Sequence, residues 1–271
     1  MDRKRTRAIV LFVLSALAAV EVFAQVKKRY PEDRMPVRGP LGRMRVVDIG
    51  HALGPDNPAW PGDDKPFEAT VNATFQKDGY FTRKFCSLEH FGTHLDAPAH
   101  FVPGGWTVDQ IPAARLYGPA VILDTREESR RDADYRLAPD KIAQWEARNG
   151  RIPQGAIILM RTGWAERWPD AARYRNMDAA SAMHFPGFSV EAVKLLIERG
   201  AVGLGIDTLS VDYGPSKDFP VHHLSHGAGL YHVENLADLS SLPESGAWLV
   251  VAPIKLEGGS GGPARVLALL P

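Results

Sequence analysis

The sequence predicts a single α/β domain with a strand-rich core and a few covering helices. Two features predict this fold class: short apolar runs that recur along the chain, and two segments with helix-capping residues. With 271 residues and 45% hydrophobic side chains, the chain is long enough to bury one full core. The runs are bounded by Gly and Pro and are rich in β-branched residues, which favours strands over helices. They lie at 44–50, 67–75, 80–90, 119–125, 156–162, 201–207, 247–256 and 264–270.

Two helices are predicted from the residues that start and stop them. Pro139 stands in the first turn of PDKIAQWEARNG, and Asn149-Gly150 ends that segment. Ser189 precedes VEAVKLLIERG as an N-cap, and Gly200 follows as a C-terminal cap. Proline near the start and glycine just past the end are common limits of a helix. The second segment also carries one apolar face, formed by Val190, Val193, Leu196 and Ile197.

Residues 1–24 are predicted to be a secretory signal peptide and not part of the fold. A basic start is followed by an apolar run of thirteen residues, 8–20, and small residues at Val22 and Ala24 precede the cut. A spanning helix needs roughly 20 apolar residues, so this run is too short to be one. An uncleaved membrane anchor is the alternative, since Glu21 is an unusual charge near the cut. Either way, we expect a periplasmic or secreted domain, with no stable membrane span after cleavage.

The rest of the chain divides into an arm and a domain. Residues 25–43 are charged and proline-bearing, and we interpret them as an arm that reaches across a neighbouring subunit. The domain spans 44–271. The signal peptide holds four basic and two acidic residues, so its removal leaves 28 basic and 30 acidic side chains. This balance argues against a nucleic-acid partner. The single cysteine, Cys86, is expected to be buried among apolar neighbours.

One stretch, EHFGTHLDAPAHF at 89–101, concentrates metal-binding residue types. It holds three of the nine histidines and one aspartate: His90, His94, Asp96 and His100. In an extended strand His90 and Asp96 would lie about 20 Å apart, too far for one site. Gly92 and Pro98 allow the chain to bend, so a loop can bring the side chains together. Imidazoles and a carboxylate are typical ligands of Zn, Mn or Fe, and the absence of thiolates favours a catalytic site over a structural one.

A second cluster lies downstream, in FPVHHLSHGAGLYHVENL. Four histidines precede Glu234 there, and they could complete the first site or hold a second ion. Composition alone does not choose among His222, His223, His226 and His232.

The motifs resemble those of a known family. HFGTHLDAPAH is similar to the HxGTHxDxPxH signature of the cyclase-like metal-dependent hydrolases, which include bacterial kynurenine formamidases and isatin hydrolases. The resemblance extends over nearly the whole mature chain, through WPGD at 60–63, TGW at 162–164, GIDTLSVD at 205–212, PVH and VEN downstream, and KLEGG at 255–259. It implies a swivelling β/β/α fold and homo-oligomers of two or four chains.

The resemblance also implies roles for individual residues. His90, His94 and Asp96 match the ligands of a first metal. His222 and Glu234 complete a second site, with one or two ions of Mn or Zn bound in all. His100 matches a proton donor and acceptor, and Trp60 an aromatic residue that packs on the substrate ring. On this mapping the bystanders are His223, His226 and His232.

The function predicted from these features is metal-dependent hydrolysis of an amide or cyclic amide, such as an aryl formamide or isatin. A lactone or ester hydrolase of the same family is one alternative. A secreted metal- or ligand-binding protein without turnover is another. GGSGGP at 258–263 satisfies GxSxG, but no helix can follow it as a nucleophile elbow requires. We interpret it as a glycine turn between two strands.

Overall fold

The computed structural model describes residues 37–39 and 42–271, with side chains from Met44 onward. Its strands are β1 (Val37–Gly39), β2 (Gly42–Asp48), β3 (Phe67–Ala73), β4 (Thr82–Ser87), β5 (His94–Asp96), β6 (Tyr117–Asp124), β7 (Arg136–Leu137), β8 (Ile157–Arg161), β9 (Gly187–Phe188), β10 (Gly203–Ile206), β11 (Tyr231–Glu234), β12 (Trp248–Pro253) and β13 (Gly261–Leu270). Residues 46–271 form one compact unit. The β1–β2 hairpin holds the end of the predicted arm.

Seven strands of this unit close into a mixed β-barrel. Their order is β13–β12–β6–β8–β10–β11–β5, and β5 pairs with β13 to complete the circle. The pairs from β6 through β8 and β10 to β11 are parallel, and the others are antiparallel. Two small sheets, β3–β4 and β7–β9, lie apart from the barrel. The predicted strand-rich α/β core is confirmed.

Side-chain alternation along the strands creates two apolar layers. Leu95, Ile122, Leu159 and Val233 point into the barrel and form one buried cluster. Their strand neighbours point outward, where Leu123 and Ile158 join a second cluster with residues of the helices. Successive side chains of a strand face opposite sides, so the residues next to Leu95 on β5 and next to Val233 on β11 face away from the barrel interior.

Six α-helices lie among the described residues: α1 (Phe75–Asp78), α2 (Arg126–Arg131), α3 (Pro139–Asn149), α4 (Ala171–Arg175), α5 (Val190–Glu198) and α6 (Pro220–Gly227). Short 3₁₀ turns occupy Pro98–His100, Val108–Gln110, Ala113–Arg115 and Trp164–Arg167. The two predicted helices are confirmed as α3 and α5, with Ser189 accepting the N-cap hydrogen bond from the Ala192 amide. None of the described helices has the length and hydrophobicity that crossing a membrane requires.

Some predicted features lie elsewhere. The signal peptide at 1–24 falls outside the described residues and stays a prediction, as does the boundary between the arm and the domain. The burial predicted for Cys86 is wrong, because Cys86 is exposed on β4. The β3–β4 sheet covers no core on that side, so its apolar residues face solvent.

One histidine in the loop after β2 gives the fold a pH-dependent contribution to stability. The ring of His51 stacks on Trp168 with centroids 3.9 Å apart. Burial lowers the pKa of His51 to about 4, although the Leu236 backbone opposes the shift. The unfolded chain therefore binds a proton between pH 6.5 and 4 that the folded ring resists. This contribution to stability is complete above pH 6.5 and is lost as the pH falls toward 4.

We expect His51→Gln to remove this pH dependence. Between pH 7.5 and 4.5 the wild-type protein should lose about 1–2 kcal/mol more than the variant, allowing for the partial exposure of the ring. Urea unfolding of both proteins at the two pH values measures the difference. Parallel losses would show that His51 titrates normally in the folded state.

Candidate metal centre

Two neighbouring strands carry four candidate ligands on one face. β5 and β11 are antiparallel, with Asp96 opposite His232 and His94 opposite Glu234. Leu95 and Val233, which alternate with these residues, point into the barrel. Cβ atoms of directly opposite residues lie about 5 Å apart, so the four polar side chains meet outside the barrel wall. All four are buried.

The bend before β5 adds His90. Gly92 adopts a φ of 67°, and a Cβ atom there would lie 2.9 Å from Leu53 Cδ1. The positive φ favours glycine, which explains its place in the HFGTH motif, and a Cβ atom would also force Leu53 to shift. The predicted bent loop is confirmed for 89–93, while 94–96 form a short strand. Pro98 then starts the 3₁₀ turn that ends at His100.

Asp96 lies at the centre of the cluster, and its two oxygens face different histidines. Oδ1 lies 2.5 Å from His90 Nδ1 and 3.1 Å from His94 Nε2. Oδ2 lies 3.6 Å from His222 Nε2 and 3.7 Å from His232 Nδ1. Oδ2 is buried and has no hydrogen-bond partner. An orphaned carboxylate oxygen among imidazole nitrogens is a position that a cation would satisfy.

Glu234 lies between His94 and His222, as Asp96 does. Its Oε2 lies 3.6 Å from His94 Nε2, and its Oε1 lies 3.5 Å from His222 Nε2. Burial and the charge of Asp96 raise the pKa of Glu234 to about 8. Burial alone would lower the pKa of His222, but the hydrogen bond with Asp212 and the nearby charges of Glu234 and Asp96 raise it to about 10. Two buried carboxylates this close require positive charge between them, from protons or from metal.

In each of these histidines one ring nitrogen makes a hydrogen bond on the side away from the cluster, so the other nitrogen faces the carboxylates. His94 Nδ1 donates to the Gly92 carbonyl at 2.9 Å, and His222 Nδ1 donates to Asp212 Oδ2 at 2.7 Å. His90 Nε2 donates to Ser260 Oγ at 2.9 Å, and that hydroxyl donates to Glu89. With the outer nitrogen donating to these partners, the inner nitrogen holds either a proton, which the carboxylates favour, or a lone pair that can bind a cation. This is how metal-binding histidines are oriented in proteins, so the residues present fit a divalent cation.

The predicted site residues therefore converge. His90, His94, Asp96, His222 and Glu234 form one cluster, although more than 140 positions separate its first and last members. His100 stacks on His90, with ring centroids 3.8 Å apart. Enclosure by the cavity walls lowers the pKa of His100 to about 4, so the ring is neutral at pH 7.

A cavity of about 380 Å³ opens above the cluster. Asp96, His100 and Glu234 lie in its lining, and Trp60, Phe101 and Phe219 supply aromatic walls. The Trp60 and Phe219 rings lie 6.1 Å apart, and Phe219 and Phe101 5.5 Å apart. Phe219 has a φ of 44°, a conformation that costs energy for a bulky residue and aims this ring at the cavity.

The sequence reasoning missed several members of this site. Asp212 and Ser260 orient ligand histidines, and Glu89 fixes Ser260. The predicted glycine turn between β12 and β13 is confirmed, and its serine lies against His90. His232, expected to be a bystander, lies inside the cluster. His226 contacts it, with 3.0 Å between His226 Nε2 and His232 Nδ1. The only sequence signal for His232 was its spacing from Glu234: residues two apart on a strand face the same side, so His232 and Glu234 share a face.

Comparisons with known proteins agree with this geometry. The family described as "Putative cyclase" matches residues 47–213. An isatin hydrolase of Roseibium aggregatum is 35% identical over 85% of this chain and 93% of its own length. A kynurenine formamidase of Salinibacter ruber is 26% identical over 83% of this chain and 97% of its own. The crystal structure of an isatin hydrolase bound to the product analogue thioisatinate superposes with a TM-score of 0.79 at 33% identity, over 95% of this chain and 98% of that one.

The barrel and the cluster of imidazoles and carboxylates define a hydrolase-like metal site, and the chain belongs to the cyclase family. Within that family its sequence is isatin hydrolase-like. The family predicted from the HFGTHLDAPAH motif is confirmed.

Proposed function

We propose that this protein is a metal-dependent hydrolase that opens a cyclic amide fused to an aromatic ring, with isatin as the model substrate. The observation that carries the proposal is the row of oriented imidazoles and two carboxylates beneath an aromatic cavity. The predicted enzyme class, a hydrolase of non-peptide carbon–nitrogen bonds, is confirmed by the isatin hydrolase and kynurenine formamidase relatives. We also propose that the mixed α/β fold with its closed barrel is of the swivelling β/β/α type.

The proposed roles follow the geometry. His90, His94 and Asp96 would hold the catalytic ion at the edge of the cavity, and Mn or Zn suits this donor set. His222 and Glu234 share Asp96 with a second position. When bound, a divalent cation lowers the pKa of a water molecule and polarises the carbonyl that the water attacks.

His100 handles the protons. Its ring is neutral at pH 7 and lies in the cavity beside His90, so it can accept a proton from the attacking water. Hydrolysis breaks the C–N bond of the amide and leaves an amine nitrogen that needs a proton. His100 returns the proton to that nitrogen as the C–N bond breaks, and the carboxylic acid that forms releases its own proton to solvent, which leaves a carboxylate and an aryl amine.

A panel of substrates tests the function. Purified protein is stripped with a chelator, reloaded with Mn²⁺ or Zn²⁺, and assayed on isatin, an N-formyl arylamine and an aryl lactone. We expect metal-dependent opening of isatin to be the fastest reaction. Fastest turnover of the lactone would favour the esterase alternative. Metal binding without turnover of any compound would favour a binding protein.

Trp60→Ala should weaken the binding of flat substrates. The Trp60 ring lines the cavity and faces Phe219, so its removal takes away an aromatic wall. We expect KM for isatin to rise about tenfold, with little change for a small aliphatic amide. Trp106→Ala is the matched control, because Trp106 is exposed and lies outside this cavity. An equal rise for both substrates would make Trp60 structural.

We also propose a homo-oligomer, dimer or tetramer. Large apolar residues of 71–88 are exposed to an extent that isolated surface residues do not explain: Val71, Phe75, Tyr80, Phe81, Phe85 and Leu88. Leu88 also lines the cavity, so a partner chain here would lie near the site. Sedimentation of the wild type and of Phe75→Glu tests this.

We further propose a periplasmic or secreted location, which rests on the signal peptide predicted at residues 1–24. The N-terminal mass of the exported protein tests it.

A further inference from the structure

His232 is a candidate ligand that the family motif does not supply. It lies on β11 directly opposite Asp96 on β5, and its side chain has no exposure to solvent. Its Nδ1 points at Asp96 Oδ2, the buried oxygen without a hydrogen-bond partner. We propose that His232 is a fourth ligand of the second metal position, together with Asp96, His222 and Glu234. The proposal rests on the proposed function only in requiring that the protein binds divalent metal.

The hydrogen bonds of His232 assign its tautomer. Ser225 Oγ donates its single proton to the Val221 carbonyl at 2.6 Å. That oxygen must therefore accept the proton of His232 Nε2, which lies 2.6 Å away. A neutral His232 is left with a lone pair on Nδ1, facing a carboxylate oxygen that also carries lone pairs. A positive charge between the two atoms would make this contact favourable.

The spacing of the four groups suits one ion. The ligand atoms all lie within 4.8 Å of one another, and the contacts between His222 Nε2 and the two carboxylates are 3.5 and 3.6 Å. Ligands at 2.0–2.1 Å from a tetrahedral Zn²⁺ are separated by about 3.4 Å. Small movements of the side chains would therefore place four donors around one ion. Two nitrogens and two oxygens in this arrangement favour Zn²⁺ over Mn²⁺, which prefers six ligands.

The two positions then differ in kind. The first, at His90 and His94, borders the cavity and keeps room for water and substrate. The second has four protein ligands: Asp96, His222 and Glu234 line the cavity, and His232, fully buried outside that lining, fills the fourth coordination position. Closed four-ligand zinc sites are structural, and sites with an open position are catalytic. The second ion would be a resident one that fixes Asp96 and Glu234 for the first.

His226 offers a competing explanation for the orientation of His232. Its Nε2 lies 3.0 Å from the same Nδ1 and could donate a hydrogen bond to it. In that case His232 would be satisfied without metal, and the second position would have three ligands. Paired substitutions of the two histidines separate the alternatives.

The experiment counts ions. Wild type, His232→Leu and His226→Leu are stripped, loaded with Zn²⁺, dialysed against a mild chelator and analysed for zinc per folded chain. We expect two ions in the wild type and in His226→Leu, and about one in His232→Leu. Ser225→Ala, which removes only the group that orients His232, should weaken binding of the second ion by about 10–100-fold.

Two ions in His232→Leu, or a single ion in the wild type, would overturn the ligand role of His232. Neither result would contradict hydrolysis that uses one ion. Failure of the proposed function would instead show as a wild type without metal-dependent turnover. If His232→Leu does not fold, anomalous scattering from the zinc-loaded wild type decides. An ion about 2.1 Å from His232 Nδ1 supports the assignment, and His232 outside the coordination sphere contradicts it.

Discussion

Replacing Asp96 with alanine is expected to remove most of the bound metal and reduce hydrolysis to background. Asp96 is buried, and its two oxygens face four histidines, two on each side. Loss of a partner that only orients a ligand typically weakens metal affinity 10–100-fold, so loss of this shared carboxylate should cost more than about 100-fold. Elemental analysis and the isatin assay measure the two effects.

The substitution also leaves the histidines without their counter-charge. His90 and His94 hold the pKa of Asp96 well below its ordinary value although burial opposes this, so the carboxylate is charged in the folded protein. Asp96→Asn keeps the shape of the side chain and serves as the second variant. Asp56→Asn, at an exposed carboxylate, is the control. A folded Asp96 variant that keeps its full complement of metal would refute the ligand assignment.

His100→Ala is expected to keep the metal and lose turnover. The His100 ring lies in the cavity beside His90, and a general acid–base group contributes about 10²–10⁴-fold to the rate. We expect kcat to fall by about that factor while KM changes little. Partial rescue by added imidazole would identify the missing function as proton transfer. His223→Ala, an exposed histidine on α6, is the control.

The same variant tests the competing role. Atoms of His90, Asp96 and His100 lie within 4.8 Å of one another, so His100 could also serve as a ligand. Metal content distinguishes the two roles. If His100→Ala loses its ion together with its activity, His100 is a ligand and the proton carrier must be sought elsewhere in the cavity.

Much of the fold was predictable because short apolar runs bounded by Gly and Pro mark strands. All eight predicted runs contain strands, and the capped segments are helices. β5 and β11 were not predicted, since each has only three or four residues and places charged side chains on its outer face. α6 was hidden for a similar reason: its histidines interrupt the apolar pattern that marks a helix.

The site was predictable in part. The density of candidate ligands within 90–100 indicated a metal site, but the resemblance to a family was needed to separate three ligands from His100 and to choose His222 among four neighbouring histidines. Convergence of 90–96 with 222–234 depends on pairing between β5 and β11, which no local pattern encodes. The position of His232 follows from that register, and it could be inferred only once the pairing was known.

The closure of the barrel has a consequence for exchange of the metal with solvent. β5 has only three residues, yet it pairs with β11 on one side and β13 on the other. The backbone that carries His94 and Asp96 is therefore held at both edges, and its amide protons should exchange with deuterium only when the whole barrel opens. An ion bound there cannot leave through a fraying loop. Exchange would instead run through the open cavity, and the backbone that carries the ligands would keep its shape while the folded protein is stripped and reloaded.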